Sequence, residues 1–247
     1  MILLFYKRHF CQKTENIVSN VWKGFCIYDH GTNHSKGVAI LVKKDLPITI
    51  IDTFFKGDGR SIALRFSINS HVYLCINVYA PAKNTQKEIF FASLSNWVKK
   101  FKKQNDIMIA GGDWNCIQNK TLDTCGVSYA YLPKRNFIKF RLNNNLIDVW
   151  RKMYPNRKQF TWRQLSLNIY SRLDYWLVSK AHFSYLYSLD IKPALKCDHN
   201  AVSLKLKVTT RKRGKGFWKI NNSLLKDEIY KINVKILYKR LRLNITI

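Results

Sequence analysis

Short apolar runs broken by turn residues recur along the chain. ILLFY, FCIYD, GVAILVKK, PITIID, RSIALRFSI, HVYLCINVY, DIMIAG, RLDYWLVS and AVSLKLKV each read as a strand, and Gly, Pro, Asn or Asp punctuates many of them. In HVYLCINVYAP the alternation sends Val72, Leu74, Ile76 and Val78 to one face. Tyr73, Cys75, Asn77 and Tyr79 go to the other, before Ala80-Pro81 stops the strand. Two stretches change to helical spacing. One starts near Asn84, with Thr85 and Glu88 spaced as a capping box, and aligns Phe90, Leu94, Trp97, Val98 and Phe101 on one face. The other starts at Pro133 and turns Phe137, Phe140 and Leu142 inward.

Many strands joined by short turns, with few helices between them, predict largely antiparallel sheets. Several strands are apolar on both faces, so the sheets must be covered on both sides. The pattern predicts an α/β fold, a four-layer sandwich of two packed, mainly antiparallel sheets flanked by helices. The character changes after Val208, where the chain turns basic with little sign of a core. Residues 1–208 therefore read as one domain and 209–247 as a basic linker and tail, in which Leu224 to Leu243 could form a basic amphipathic helix.

Composition narrows the partners. Forty-three Lys and Arg against 15 Asp and Glu give a formal net charge of +28, which favours polyanions: nucleic acid first, an anionic membrane second. A lysine-rich solvated surface would give the same count. Six cysteines, at positions 11, 26, 75, 116, 125 and 197, form no C-x-x-C pair, and several sit in strand-like runs. They read as free thiols in a reducing compartment. The opening MILLFY lacks a basic region before it, and no stretch approaches the ~20 apolar residues of a membrane helix. A soluble, intracellular protein is expected.

Four strand ends carry chemistry. Tyr79 ends HVYLCINVY with a phenol. In GGDWNC, Asp113 and Asn115 follow a strand and would point the same way at period two, although Gly, Asp and Asn also make an ordinary turn. In SRLDYWLVS, Asp174 is costly inside an apolar strand unless paired, and Arg172 on the same face or a histidine elsewhere could pair it. CDHNAVSLKL places Asp198 and His199 just before a strand. Each signal is weak alone. Together, in a strongly basic chain, they supply oxygen ligands for Mg²⁺, a base for water and neutral donors for charge developing on phosphate.

In this order, NVYAP, GGDWN, SRLDYWLVS and CDHNAVSLKL resemble the blocks of the endonuclease/exonuclease/phosphatase superfamily. HGTNHSKGVAILVKKDL and GKGFWKINNSLLKDEIY are similar to its LINE-type (non-LTR) retrotransposon branch, which is related to apurinic endonucleases. The resemblance spans about residues 1 to 230. It implies that His199 is the general base on water, oriented by Asp174, and that Asp113 positions the nucleophile or protonates the leaving oxygen. Asn115 and Tyr79 would hold the phosphate. Asp198, with Asp113 and Asn115, would bind Mg²⁺, or Mn²⁺. The partner would be DNA, the action nuclear on chromosomal DNA, and a reverse transcriptase the original fusion partner.

Three departures accompany it. Domains of the family begin with an asparagine-bearing strand and a helix, which this chain is expected to lack. The aligned stretch LLFYKRHF puts Lys7 where the family has a metal-binding glutamate, and Cys197 stands where a serine is usual. A unit charge pair at ~4 Å is worth about 4 kcal/mol at an effective dielectric near 20, so exchanging carboxylate for ammonium costs at least several kcal/mol of cation affinity. The expected activity is therefore Mg²⁺-dependent nicking of DNA, impaired in this copy. A catalytically dead nucleic-acid-binding remnant is the alternative, and a phosphatase of the same fold is a third reading. Phosphate contacts would come from LPKR and from the basic residues around RKQFTWRQ.

Overall fold

A computed structural model describes residues 3–7, 12–31, 36–126, 135–194, 197–207 and 226–233, with residues 3–7 and 12–14 described by their backbone. The chain divides into two units, Met1–Thr209 and Thr210–Ile247. In the second unit, residues 228–233 are helical, inside the span expected from Leu224 to Leu243; Lys226 and Asp227 are described but not α-helical, and the remainder of the span lies outside the described residues.

The first unit runs β1 (Leu3–Lys7), α1 (Gln12–Val21), β2 (Gly24–Asp29), β3 (Val38–Lys43), β4 (Thr49–Phe55), β5 (Ser61–Ile68), β6 (His71–Tyr79), α2 (Asn84–Lys99) and β7 (Ile107–Asp113). It continues with β8 (Thr124–Cys125), α3 (Arg135–Asn143), β9 (Leu146–Asp148), α4 (Val149–Met153), β10 (Trp162–Gln164), β11 (Ile169–Ser171), β12 (Asp174–Ser179), β13 (Leu186–Lys192) and β14 (Ala201–Leu206). The main sheet has six strands in the order β4-β5-β6-β7-β12-β9. Its pairings are antiparallel except for β6 with β7, which α2 connects as a parallel crossover. Smaller sheets are β1-β3-β2, β13-β14 and β10-β11-β8.

Alternation along the strands builds the layers. Leu74, Ile76 and Val78 of β6 and Met108 and Ala110 of β7 pack with Phe90, Phe91, Leu94, Val98, Phe137 and Phe140 of α2 and α3. On the opposite face, Tyr73 and Cys75, then Ile107 and Ile109, meet Val38, Ile40 and Val42 of β3, Leu189 and Ile191 of β13, and Val202 and Leu204 of β14. The second layer is thus formed by two separate small sheets on one face of the main sheet. Ala39 and Leu41, on the far side of β3, pack against Val18 and Trp22 at α1. The order of layers is helix, sheet, sheet, helix, as the two-sided apolar pattern predicts.

Two local expectations are corrected. Thr85 and Glu88 do not form a capping box: α2 begins at Asn84 with Lys83 as its cap, and no side chain closes that turn. The Glu88 carboxylate instead accepts from the backbone N–H of Arg135 (2.7 Å) and Asn136 (3.0 Å), capping the neighbouring helix α3. The orphan donors of a helix start take whichever carboxylate is nearest in space. Leu142 is 65% exposed, so only Phe137 and Phe140 anchor α3; Pro133 lies outside the described residues. At the edge of the main sheet, β4 is largely exposed, with Ile50, Ile51 and Phe55 open to solvent and a register shift between Ile50 and Asp52.

Candidate active site

The site lies where three adjacent strands end at one level. In the sheet register, Tyr79 pairs with Asp113, and Asp113 with Asp174. All three share the parity of residues that face the second layer: Tyr73 and Cys75 on β6, Ile107 and Ile109 on β7, and Trp176 and Val178 on β12. His199, at the start of the return into β14, comes down from that second layer onto the same rim.

GGDWNC builds its part by exclusion. A Cβ on Gly111 would lie 2.4 Å from the Trp176 ring, and one on Gly112 (φ +127°) would lie 2.1 Å from the Val78 carbonyl oxygen. Only glycine fits so close a strand approach with that backbone. Trp114 then turns to the helix side, fully buried, and its indole N–H donates to the Tyr175 carbonyl at 3.0 Å. Asn115 is not a further strand residue. It has φ +48° beyond the end of β7, its N–H donates to Asp113 Oδ1 (2.9 Å) and its amide donates to the Ala80 carbonyl (2.8 Å). The spacing of two therefore comes from a turn around the aspartate, which fixes the carboxylate from below.

His199 Nδ1 lies 2.7 Å from Asp174 Oδ2, with both side chains buried. His199 Nε2 is 4.0 Å from Asp113 Oδ2. Asp174 thus takes the histidine as its partner, one of the two options its sequence left open. Arg172 goes elsewhere: its fully buried guanidinium binds Asp123 (2.8 and 3.1 Å) and Asp148 (2.6 and 3.3 Å). Burial alone would raise the Asp123 pKa, but Arg172 and Arg151 hold the carboxyl below its ordinary value. Asp123 also accepts from the N–H of Gln118 and Asn119, tying the segment after GGDWNC to the strand that carries Asp174.

Several supporting residues had no clear sequence signal. Thr161 Oγ1 accepts from the backbone N–H of both Leu173 and Asp174 at 2.9 Å. Trp162 forms a β-bridge with His199, and its indole N–H donates to Asp198 Oδ2 at 3.2 Å. Arg60 donates to the Tyr79 carbonyl (3.2 Å) and lies over the Tyr79 ring at 5.2 Å, while its own carbonyl accepts from Tyr79 N–H. The turn before Arg60 is tethered to the second layer, because Asp29 accepts from Gly57 and Gly59 N–H. The only hint was position: an arginine after Gly-Asp-Gly at a strand start, and an aromatic-Thr-Trp run that reads as basic loop. Of that loop, Arg157 stacks over Trp150 and Tyr154 instead of standing free. Most of LPKR lies outside the described residues.

Asp113, Asp174 and His199 each offer a ligand atom, and these atoms lie within 4.8 Å of one another, a spacing that could hold a metal ion. Asp198 is not one of the three. Its carboxylate faces Trp162 on one oxygen, and the Cys197 thiol donates to the other at 3.7 Å. The oxygen donors of Asp113, Asn115 and Asp198 suit a hard divalent cation. The imidazole, already engaged by Asp174, suits a base. The backbone of Lys7 sits at the same end of the molecule: its Cα pairs with Val38, which pairs with Asp29, the residue that tethers the Arg60 turn.

A sandwich whose strand ends bring two carboxylates and an imidazole to one rim has the architecture of phosphoester-cleaving α/β proteins. Residues 4–194 match the Endonuclease/Exonuclease/phosphatase family, and the chain belongs to it. A Xenopus laevis relative, the transposon TX1 uncharacterized 149 kDa protein, is 30% identical over 221 residues, 87% of this chain and 16% of its own length. Craniofacial development protein 2 of Bos taurus is 27% identical over 194 residues, 71% of this chain and 32% of its own. The chain thus spans less than a third of either relative. Among solved structures, a 3′-5′ exonuclease from Neisseria meningitidis has a TM-score of 0.67 at 18% identity, covering 83% of this chain and 88% of that one. An AP endonuclease from Archaeoglobus fulgidus also gives 0.67, at 16% identity, over 83% and 88%. At these identities the likeness is one of fold.

Proposed function

We propose that this chain is a retrotransposon-type endonuclease domain that nicks DNA by hydrolysing a phosphodiester with a divalent cation, and that Lys7 weakens it. The carrying observation is the Asp174–His199 contact at 2.7 Å with Asp113 4.0 Å from the other imidazole nitrogen. Asp174 accepts the Nδ1 proton, which leaves Nε2 as the proton acceptor. His199 takes a proton from water, whose oxygen bonds to phosphorus. The bond from phosphorus to the 3′ oxygen breaks, leaving a 5′-phosphate and a 3′-hydroxyl that a reverse transcriptase could extend. Asp113 orients the water or protonates the leaving oxygen. Tyr79, stacked under Arg60, and Asn115, with one amide hydrogen committed to Ala80, hold the phosphate between them. Mg²⁺ or Mn²⁺, held by Asp113, Asn115 and Asp198, would neutralise charge on the phosphate oxygens. The transposon relative supports the nucleic-acid reading; fusion to a reverse transcriptase and action on chromosomal DNA in the nucleus belong to the same proposal.

Plasmid nicking with Mg²⁺ tests this. Weak nicking that rises at least tenfold in Lys7→Glu and disappears in His199→Ala supports it. Strong nicking by the unaltered chain rejects the impairment. Salt-sensitive DNA binding with no nicked product in either form favours a purely binding remnant, and faster turnover of inositol phosphates than of DNA favours a phosphatase.

A further inference from the structure

Residues 160–163 stitch together two segments that carry the site. From Asp198 and His199 onward, Arg163 N–H donates to the Asp198 carbonyl (3.0 Å), Asn200 N–H to the Thr161 carbonyl (2.7 Å) and the Asn200 amide to the Phe160 carbonyl (3.0 Å). Towards the Asp174 segment, Thr161 N–H donates to the Ser171 carbonyl (3.0 Å), while its hydroxyl oxygen accepts from Leu173 and Asp174. Three of these bonds are backbone to backbone, which any residue could supply; the other three use the Asn200 amide and the Thr161 hydroxyl. The side-chain bond from residues 160–163 that touches a site carboxylate is the indole N–H of Trp162 on Asp198 Oδ2.

Asp198 is half-buried; the Cys197 thiol reaches Asp198 Oδ1 at 3.7 Å and accepts from His199 N–H at 3.5 Å, both through soft, weak sulfur contacts. Indole is a donor only. It can hold an ionised carboxylate without competing for protons or for a cation. A carboxylate already oriented by a hydrogen bond to one oxygen loses less rotamer freedom when it ligates a cation.

We propose that Trp162 is a positioning residue for this site, its indole N–H orienting the Asp198 carboxylate for the divalent cation while its backbone pairs with His199. This inference builds on the cation site proposed above. Trp162→Phe removes the N–H together with part of the ring and keeps the backbone bridge to His199, so the Asp198→Asn background separates loss of the hydrogen bond from loss of ring volume.

The test measures Mn²⁺ binding directly, by the electron paramagnetic resonance signal of free Mn²⁺. It uses the full chain, Trp162→Phe, Asp198→Asn and the double variant, with and without Lys7→Glu. Loss of an outer partner of a metal ligand costs about 10- to 100-fold in affinity in known sites, so Trp162→Phe is expected to bind Mn²⁺ about tenfold more weakly. Its melting temperature should stay within about 2–4 °C, the effect of one lost hydrogen bond. In the Asp198→Asn background it should have no further effect. Nicking by Trp162→Phe should recover as Mn²⁺ is raised, with KM for DNA unchanged. Unaltered Mn²⁺ affinity in Trp162→Phe, or the same loss with and without Asp198, overturns the role of Trp162 and leaves the nuclease reading standing. Mn²⁺ binding in none of the forms, Lys7→Glu included, overturns the cation site and this inference with it.

Discussion

At the scale of single residues, the site is a set of commitments between side chains. His199 has Asp174 on one nitrogen and Asp113 4.0 Å from the other, so its two nitrogens have different jobs. Asp174→Asn keeps the shape but presents an amide that can favour the wrong tautomer. General-base catalysis contributes about 10²–10⁴-fold, so nicking should fall by that order while urea unfolding changes by less than about 1 kcal/mol. Single-turnover assays beside an unfolding curve would measure both. The residues at strand ends were legible because punctuation marks such positions: Ala80-Pro81 after Tyr79, two glycines before Asp113. The choice of partner for Asp174 was not, since Arg172 and His199 compete through space. Arg172 is drawn away by two buried aspartates, Asp123 and Asp148, which no local pattern links to it.

At the scale of elements, that buried cluster binds β12 to the segment following β7. Asp123 has a depressed folded pKa, set by its arginine partners against the opposing effect of burial. A depressed carboxyl stabilises fully above its unfolded value, near 3.8, and the contribution is lost as pH falls through the folded value. Asp123→Asn leaves Arg172 half-paired and should cost about 3–5 kcal/mol at neutral pH. Its stability should then fall less steeply than that of the unaltered chain below about pH 4, which urea titrations across that range would show. Nine of the strands were readable as apolar runs, and β5, β6 and β7 are buried on both faces as their composition requires; β13 (Leu186–Lys192) was not among those runs. The short elements β8, β10 and β11 were not readable. They are two or three residues long, held by backbone bonds to distant segments, and carry too few side chains to show a period.

For the whole molecule, +28 of formal charge favours a polyanionic partner. The logarithm of DNA affinity should fall linearly with the logarithm of salt, with a slope of about −0.9 per phosphate neutralised, measurable by fluorescence anisotropy. The slope should survive His199→Ala, since the Lys and Arg count that sets it is unchanged. Thiol chemistry gives a second global test. Burial pushes the Cys116 thiol up to about 12 and raises Cys75 as well, whereas Cys125 and Cys197 are exposed. Iodoacetamide at pH 8, read by peptide mass spectrometry, should label Cys125 and Cys197 and leave Cys75 and Cys116 intact until the chain is denatured.

The outermost strand of the large sheet, β4, leaves Ile51 at its bulge 49% exposed and Phe55 51% exposed. These side chains stand open to solvent at the edge of the sheet. A kinked edge discourages another strand from zipping alongside, yet the greasy side chains remain available. Concentrated samples should therefore cloud from this border first. Ile51→Lys is expected to raise the protein concentration at which light scattering begins, while the nicking rate per molecule stays the same.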